Sequence, residues 1–194
     1  MQEKPYHHGN LHNELIEKGI SLINEEGISN FSLRKVAKLA GVSATACYNH
    51  FSNKEELLDS MKSYVSARFA KVILDAAESS EGEYPTIDMG KAYVKFFADN
   101  PHYFSFIYDN EDYCIELNED DFIGDYKAFC IFRDVSIACM EKLKIPKIQQ
   151  RDNLVAMWAM VQGLSSMANM KGFHYKGDWC KLTETILENK LNLR

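Results

Sequence analysis

Apolar residues recur at helical spacing along almost the whole 194-residue chain, which leaves little room for any fold but a bundle of helices. Leu11, Leu15, Ile16, Leu22 and Ile23 share one face of a helix over about 10–26, with Asn10 as N-cap and Gly27 as stop. Leu33, Val36, Ala37 and Ala40 repeat the pattern behind Ser32, and Gly41 ends that second helix. Ser43 caps a third, predicted to run through Phe51. Ser52-Asn53-Lys54-Glu55 reads as a capping box. It opens a long helix, about 53–76, carrying Leu57, Leu58, Met61, Tyr64, Val65, Phe69 and Val72. The polar stretch 78–86, ESSEGEYPT, is the clearest loop. Beyond it the spacing predicts helices around Tyr93 and Phe97, after Pro101, and over about 120–143, 148–170 and 178–191. Strand signals are weak, and no repeat is visible.

Composition narrows the function classes. Hydrophobic content of 46% and charged content of 26% are ordinary for a soluble protein. No apolar run approaches the roughly 18 residues that a membrane helix needs. The start, MQEKPYHHGN, does not read as a signal peptide. Five cysteines, an odd number without a CxxC pair, argue against a disulfide framework or zinc ribbon and for a reducing cytoplasm. The net charge of −6 argues against wholesale nucleic-acid binding, but it hides a split. Residues 27–54 contain Arg34, Lys35, Lys38 and Lys54 and no Asp or Glu. Such a segment meets phosphate without local repulsion, or it is a chance gap in charge.

Residues 32–51 have helix-turn-helix logic. Gly41 tolerates the positive φ of a sharp turn, while Ala37 and Val42 are small enough for close helix approach. The second of the two helices, GVSATACYNHF in its setting, would enter a major groove about 12 Å wide. Ala44, Thr45 and Ala46 bring its backbone close to base edges and thymine methyls, and Cys47 and Phe51 point inward. Tyr48, Asn49 and His50 face phosphate oxygens, joined by Lys54. The plain alternative is a three-helix corner with solvated polar residues.

The stretches YHHGNLHNELIEKGISLINEEG and FSLRKVAKLAGVSATACYNHFSNKEELL resemble the N-terminal region of TetR/AcrR-type transcriptional regulators over about residues 6–60. NPHYFSFIYDN and WAMVQGL resemble a regulatory-domain subgroup with a Trp-x-x-Val-His-Gly signature, with Gln162 where that subgroup has His. The resemblance implies an all-α homodimer. Its N-terminal three-helix helix-turn-helix DNA-binding domain spans 1–54, with the fourth helix as connector. A helical-bundle ligand-binding and dimerisation domain spans 55–194. By position, Arg34, Ser43, Ala44, Thr45, Ala46, Tyr48, Asn49, His50 and Lys54 stand where the family meets DNA. Thr45 is the expected base contact, and Tyr48, His50 and Lys54 the expected phosphate contacts. The partners expected are a double-stranded, near-palindromic DNA operator and a small-molecule effector, with no membrane, cofactor or metal.

The aromatics between Tyr93 and Phe132 are dense and fit either core packing or an apolar effector pocket. Tyr93, Phe97, Phe104, Tyr108, Tyr126, Phe129, Met157, Trp158 and Met160 are the pocket candidates. Leu154, Val161, Leu164, Met167, Leu182 and Ile186 are the candidates for a four-helix dimer interface. Tyr6, His7 and His8 fit an N-terminal arm better than a metal site. Eight acids between Asp109 and Asp125 fit a solvated loop and helix start better than a cation site. No residue set resembles a nucleophile elbow, phosphate loop or zinc-protease motif. An architectural helix-turn-helix protein without effector and, more remotely, an all-helical enzyme are the alternatives.

Overall fold

A computed structural model describes residues 11–82, 84–108, 114–117 and 122–190, without the side chains of Ser105, Leu117, Phe122, Ile123 and Lys190. The expected roles of Asn10, Tyr6, His7 and His8, and of six of the eight acids, fall outside those residues. The chain divides into two compact units, 1–65 and 66–194, and the division lies inside one helix.

The first unit contains α1 (Leu11–Glu26), a short 3-10 turn (Ile28–Asn30), α2 (Leu33–Leu39), α3 (Ala44–Tyr48) and the first part of α4 (Lys54–Glu78). Leu15, Ile16, Ile20, Val36, Cys47, Phe51, Leu57 and Met61 are fully buried and form its core. A side chain at Gly19 would collide with Met61, so α1 and α4 approach closely at that point. The N-terminus of α4 is built one residue later than the capping box expected. Asn53 Oδ1 accepts the Glu56 N–H at 2.8 Å, and Glu56 reaches back to the Ser52 N–H at 2.6 Å. Glu55 is not the reciprocal partner.

The second unit holds the rest of α4, then α5 (Pro85–Asp99), α6 (Pro101–Tyr108), α7 (Lys127–Lys142), α8 (Lys147–Asn169) and α9 (Trp179–Lys190). The amphipathic α5 is central and packs against α6, α7, α8 and α9. A Cβ at Gly90 would strike Leu187, which brings α9 close onto α5. Lys91 ties the same pair at the surface through Glu184 of α9 (2.8 Å), and also meets Asp88 of its own helix (3.3 Å). The helix expected over 120–143 starts only at Lys127. Before it, β1 (Ile115–Leu117) pairs antiparallel with β2 (Phe122–Gly124), with Ile115 opposite Gly124. Asp125, one of the eight acids, closes this hairpin by accepting the Cys114 N–H at 2.9 Å. Among the described residues no helix is long and apolar enough to cross a membrane.

Candidate nucleic-acid interface

Two serines start the helices of the turn motif. Ser32 Oγ accepts the Lys35 N–H at 3.4 Å, and Ser43 Oγ accepts the Ala46 N–H at 3.1 Å. Each satisfies a donor that the first helical turn would leave unpaired. Gly41 stands between them at φ 69°, and the Val42 N–H closes the turn on the Ala37 carbonyl at 3.0 Å. Beneath α3, Cys47 and Phe51 are buried as expected. Burial pushes the Cys47 thiol up, so it stays protonated and serves as a small apolar filler.

With those two side chains holding α3 down, the others are left outward. Thr45, Tyr48 and Asn49 are exposed, as are Arg34 and Ser43; Ala44, Ala46, His50 and Lys54 are half-buried. Two of the expected phosphate contacts have other engagements. Lys54 Nζ donates to the Ile28 carbonyl at 3.1 Å and lies over the Phe31 ring. One of its three donors is therefore spent on the 3-10 turn. The His50 ring lies 5.9 Å from His12 and 6.4 Å from Phe51, against α1 rather than free. Of the remaining cations, Lys35 is paired with Glu26 at 2.6 Å. Arg34 and Lys38, one helical turn apart on α2, are exposed and carry no ion pair among the described residues. Lys38 is not among the contacts expected from sequence, although its i, i+4 spacing from Arg34 is a usable signal. An open groove of about 700 Å³ between α1 and α4 is lined by Glu55, Glu56 and Asp59 with His12 and Tyr64, a lining that repels phosphate.

The pocket candidates gather in the second unit. Trp158 is met nearly edge-on by Tyr93, Tyr126, Phe129 and Phe132 at centroid distances of 5.1–6.4 Å. Phe97 joins Tyr93, Phe104 and Tyr108. Tyr93, Phe97, Tyr126, Phe129 and Met157 are buried, while Phe104, Tyr108, Trp158 and Met160 are half-buried. A polar relay runs through the rings. The Tyr93 hydroxyl hydrogen-bonds Gln162 Oε1 and shares a 2.5 Å bond with the Tyr108 hydroxyl. The amide at the position where the resemblance has histidine is thus the neutral terminus of a two-tyrosine chain. A separate groove of about 420 Å³ between α4 and α5 has Arg68, Lys71 and Lys95 on its walls and none of the nine candidates.

The dimer candidates separate. Leu154, Val161 and Leu164 are buried inside the chain itself. Met167, Leu182 and Ile186 are half-buried. The face of α8 left outward carries Ile148, Val155, Ala159, Gly163 and Met170 instead. The apolar period of α8 faces the chain's own core. Among the described residues no group of three or more His, Cys, Asp or Glu could hold a metal.

Residues 15–61, which contain the whole turn motif, match the family model "Bacterial regulatory proteins, tetR family". The class A tetracycline repressor of transposon 1721 from Escherichia coli is 41% identical over 49 residues, 25% of this chain and 23% of that protein. The class D tetracycline repressor from Escherichia coli is 35% identical over 66 residues, 34% of this chain and 30% of that one. The matches therefore span less than a third of those repressors' length. Solved structures extend the likeness in fold to the whole chain. A TetR-family transcriptional regulator from Haemophilus influenzae superposes with a TM-score of 0.65 at 19% identity, covering 91% of this chain and 93% of that one. The regulator FadR from Bacillus subtilis, solved with stearoyl-CoA, gives 0.67 at 14% identity, covering 91% and 96%.

Proposed function

We propose that this chain, which through residues 15–61 belongs to the bacterial tetR family of DNA-binding transcriptional regulators, is a homodimeric, ligand-responsive repressor acting in the cytoplasm. One observation carries the DNA-binding reading. The Ser32- and Ser43-capped helices, locked across Gly41, come from a segment without Asp or Glu and expose Arg34 and Lys38, which carry no ion pair among the described residues. α3 enters one major-groove half-site, and α2 meets the backbone beside it. Two copies related by a two-fold axis then require a near-palindromic operator.

The aromatic cluster with its Tyr93–Gln162 relay supports an effector site in the second unit. A regulator of similar fold was solved with stearoyl-CoA, an amphipathic ligand with a long apolar chain. We take the effector here to be predominantly apolar, since rings make up most of the cluster. It releases the operator only by binding two conformations of the dimer unequally.

The test is fluorescence anisotropy with labelled random-sequence duplex across a salt series, comparing wild type with Arg34→Ala plus Lys38→Ala. The expected result is salt-sensitive binding whose log–log slope becomes shallower by about two in the double variant, one unit for each phosphate no longer neutralised. An unchanged slope and affinity would overturn the interface.

A further inference from the structure

Resting on the DNA-binding reading above, we infer that the base pairs covered by α3 in each half-site are A·T-rich, read through methyl groups and one carboxamide, with guanine left unread. The major groove marks guanine by two acceptors, N7 and O6, and the side chains that grip both are arginine and lysine. Neither occurs in α3 or at its cap: Ala44-Thr45-Ala46-Cys47-Tyr48-Asn49 offers no cationic fork. The four cations of the acid-free segment belong to α2 and the start of α4, and two of them are engaged by Glu26 and by the Ile28 carbonyl.

What α3 does expose is the complement of an A·T pair. Thr45 and Asn49 are both exposed and stand four residues apart, one above the other on the same face. Among the described residues the Asn49 carboxamide has no hydrogen-bond partner, and it carries the donor and acceptor that match adenine N7 and N6. The Thr45 methyl, with the half-exposed Ala44 and Ala46, offers the apolar contact that a thymine C5-methyl requires. His50 does not compete for the bases, since its ring lies against His12 and Phe51. With alanines at both positions flanking Thr45, the helix backbone approaches the groove floor, and a shortened reach suits methyl-to-methyl contact.

The experiment is selection and sequencing of duplexes from a random pool at one fixed salt concentration. It uses full-length protein refolded to strip bound ligand, with Asn49→Ala and Arg34→Ala in parallel and circular dichroism confirming that each is folded. The expected result is an enriched near-palindrome with A·T pairs at the half-site positions where Asn49→Ala relaxes the preference. Replacing one such pair by G·C should weaken wild-type binding about tenfold and leave Asn49→Ala nearly indifferent. Fixed guanines at those positions, or an operator unchanged by Asn49→Ala, would sink the inference while leaving the regulator reading intact. Guanines that vanish in Arg34→Ala would move base reading to α2 and sink it as well. No enrichment at all would remove the DNA-binding reading and the inference with it.

Discussion

Three described residues hold positive φ, and each makes a different demand on its side chain. Gly41 (φ 69°) turns the chain between α2 and α3, and open space surrounds the place where a Cβ would go. Its requirement is conformational, not steric against a neighbour, and asparagine tolerates that region better than alanine. Gly27 combines φ 81° with ψ 158°, a region that only glycine visits readily. Lys144 (φ 57°) ends α7, where the Ile145 N–H bonds back to the Met140 carbonyl at 2.9 Å and the Lys144 N–H to Glu141 at 3.0 Å. That is the Schellman ending, in which glycine is the usual residue. Urea denaturation should therefore rank the alanine variants, with Gly41→Ala costing about 1–2 kcal/mol and Gly27→Ala more. Gly41→Asn should recover part of the loss, and Lys144→Gly should stabilise by about 0.5–1 kcal/mol. Equal costs at Gly27 and Gly41 would mean that the two turns relax by the same route.

At the scale of the element, the start of α4 shows how far local rules carry. Glu56 accepts the Ser52 N–H, and that bond holds its carboxyl below the ordinary glutamate value of 4.5. A carboxyl depressed on folding adds stability that is fully present above its unfolded value and is lost as pH falls through the folded one. Stability of wild type should thus decline on the acid side of about pH 4.5, and Glu56→Gln should flatten that decline while leaving neutral-pH helicity in place. Asn53→Ala should instead cost about 1 kcal/mol at every pH, because it removes the cap itself. A parallel pH profile for Glu56→Gln and wild type would count against the Ser52 bond. The same element shows what is legible in sequence. Ser32 and Ser43 are legible as caps, because each stands directly before an apolar period. The α4 cap shifts by one between sequence and structure, because Ser52 and Asn53 are both good caps and Glu55 and Glu56 both good partners. Choosing between them takes the burial of Leu57, which sets the helix phase. The hairpin Ile115–Leu117 with Phe122–Gly124 leaves no signal, since three-residue strands are too short to show alternation. Burial of Cys47 and Phe51 is legible from period alone, whereas the diversion of Lys54 to Ile28 depends on a partner 26 residues away in sequence.

For the whole molecule, an apolar period tells which face of a helix is buried but not by what. α8 has two usable faces. Gln150, Leu154, Met157, Val161, Leu164 and Ser165 are buried within the chain, and Leu154 and Val161 are fully so. The opposite face runs Ile148, Asp152, Val155, Ala159, Gly163 and Met170, all exposed, with Ile148 79% and Met170 56% accessible. Small residues at its centre permit the close helix approach that a two-fold four-helix contact needs, and the half-buried Leu182 and Ile186 of α9 supply flanking apolar surface. If this is the face that the proposed dimer uses, a charge at its centre and a cavity behind it must act differently. Ala159→Arg should halve the mass seen by light scattering at micromolar concentration while helicity persists, because an exposed arginine does not disturb the chain's own core. It should also weaken operator binding far more than half-site binding, since the second half-site is no longer held at high effective concentration. Leu154→Ala should keep the dimer mass and lose about 2–5 kcal/mol of stability, the usual cost of a core truncation. A dimer that survives Ala159→Arg but fails on Leu154→Ala would show that the contact draws on the core rather than on this face. Two-fold pairing would then have to involve rearranged α8 helices.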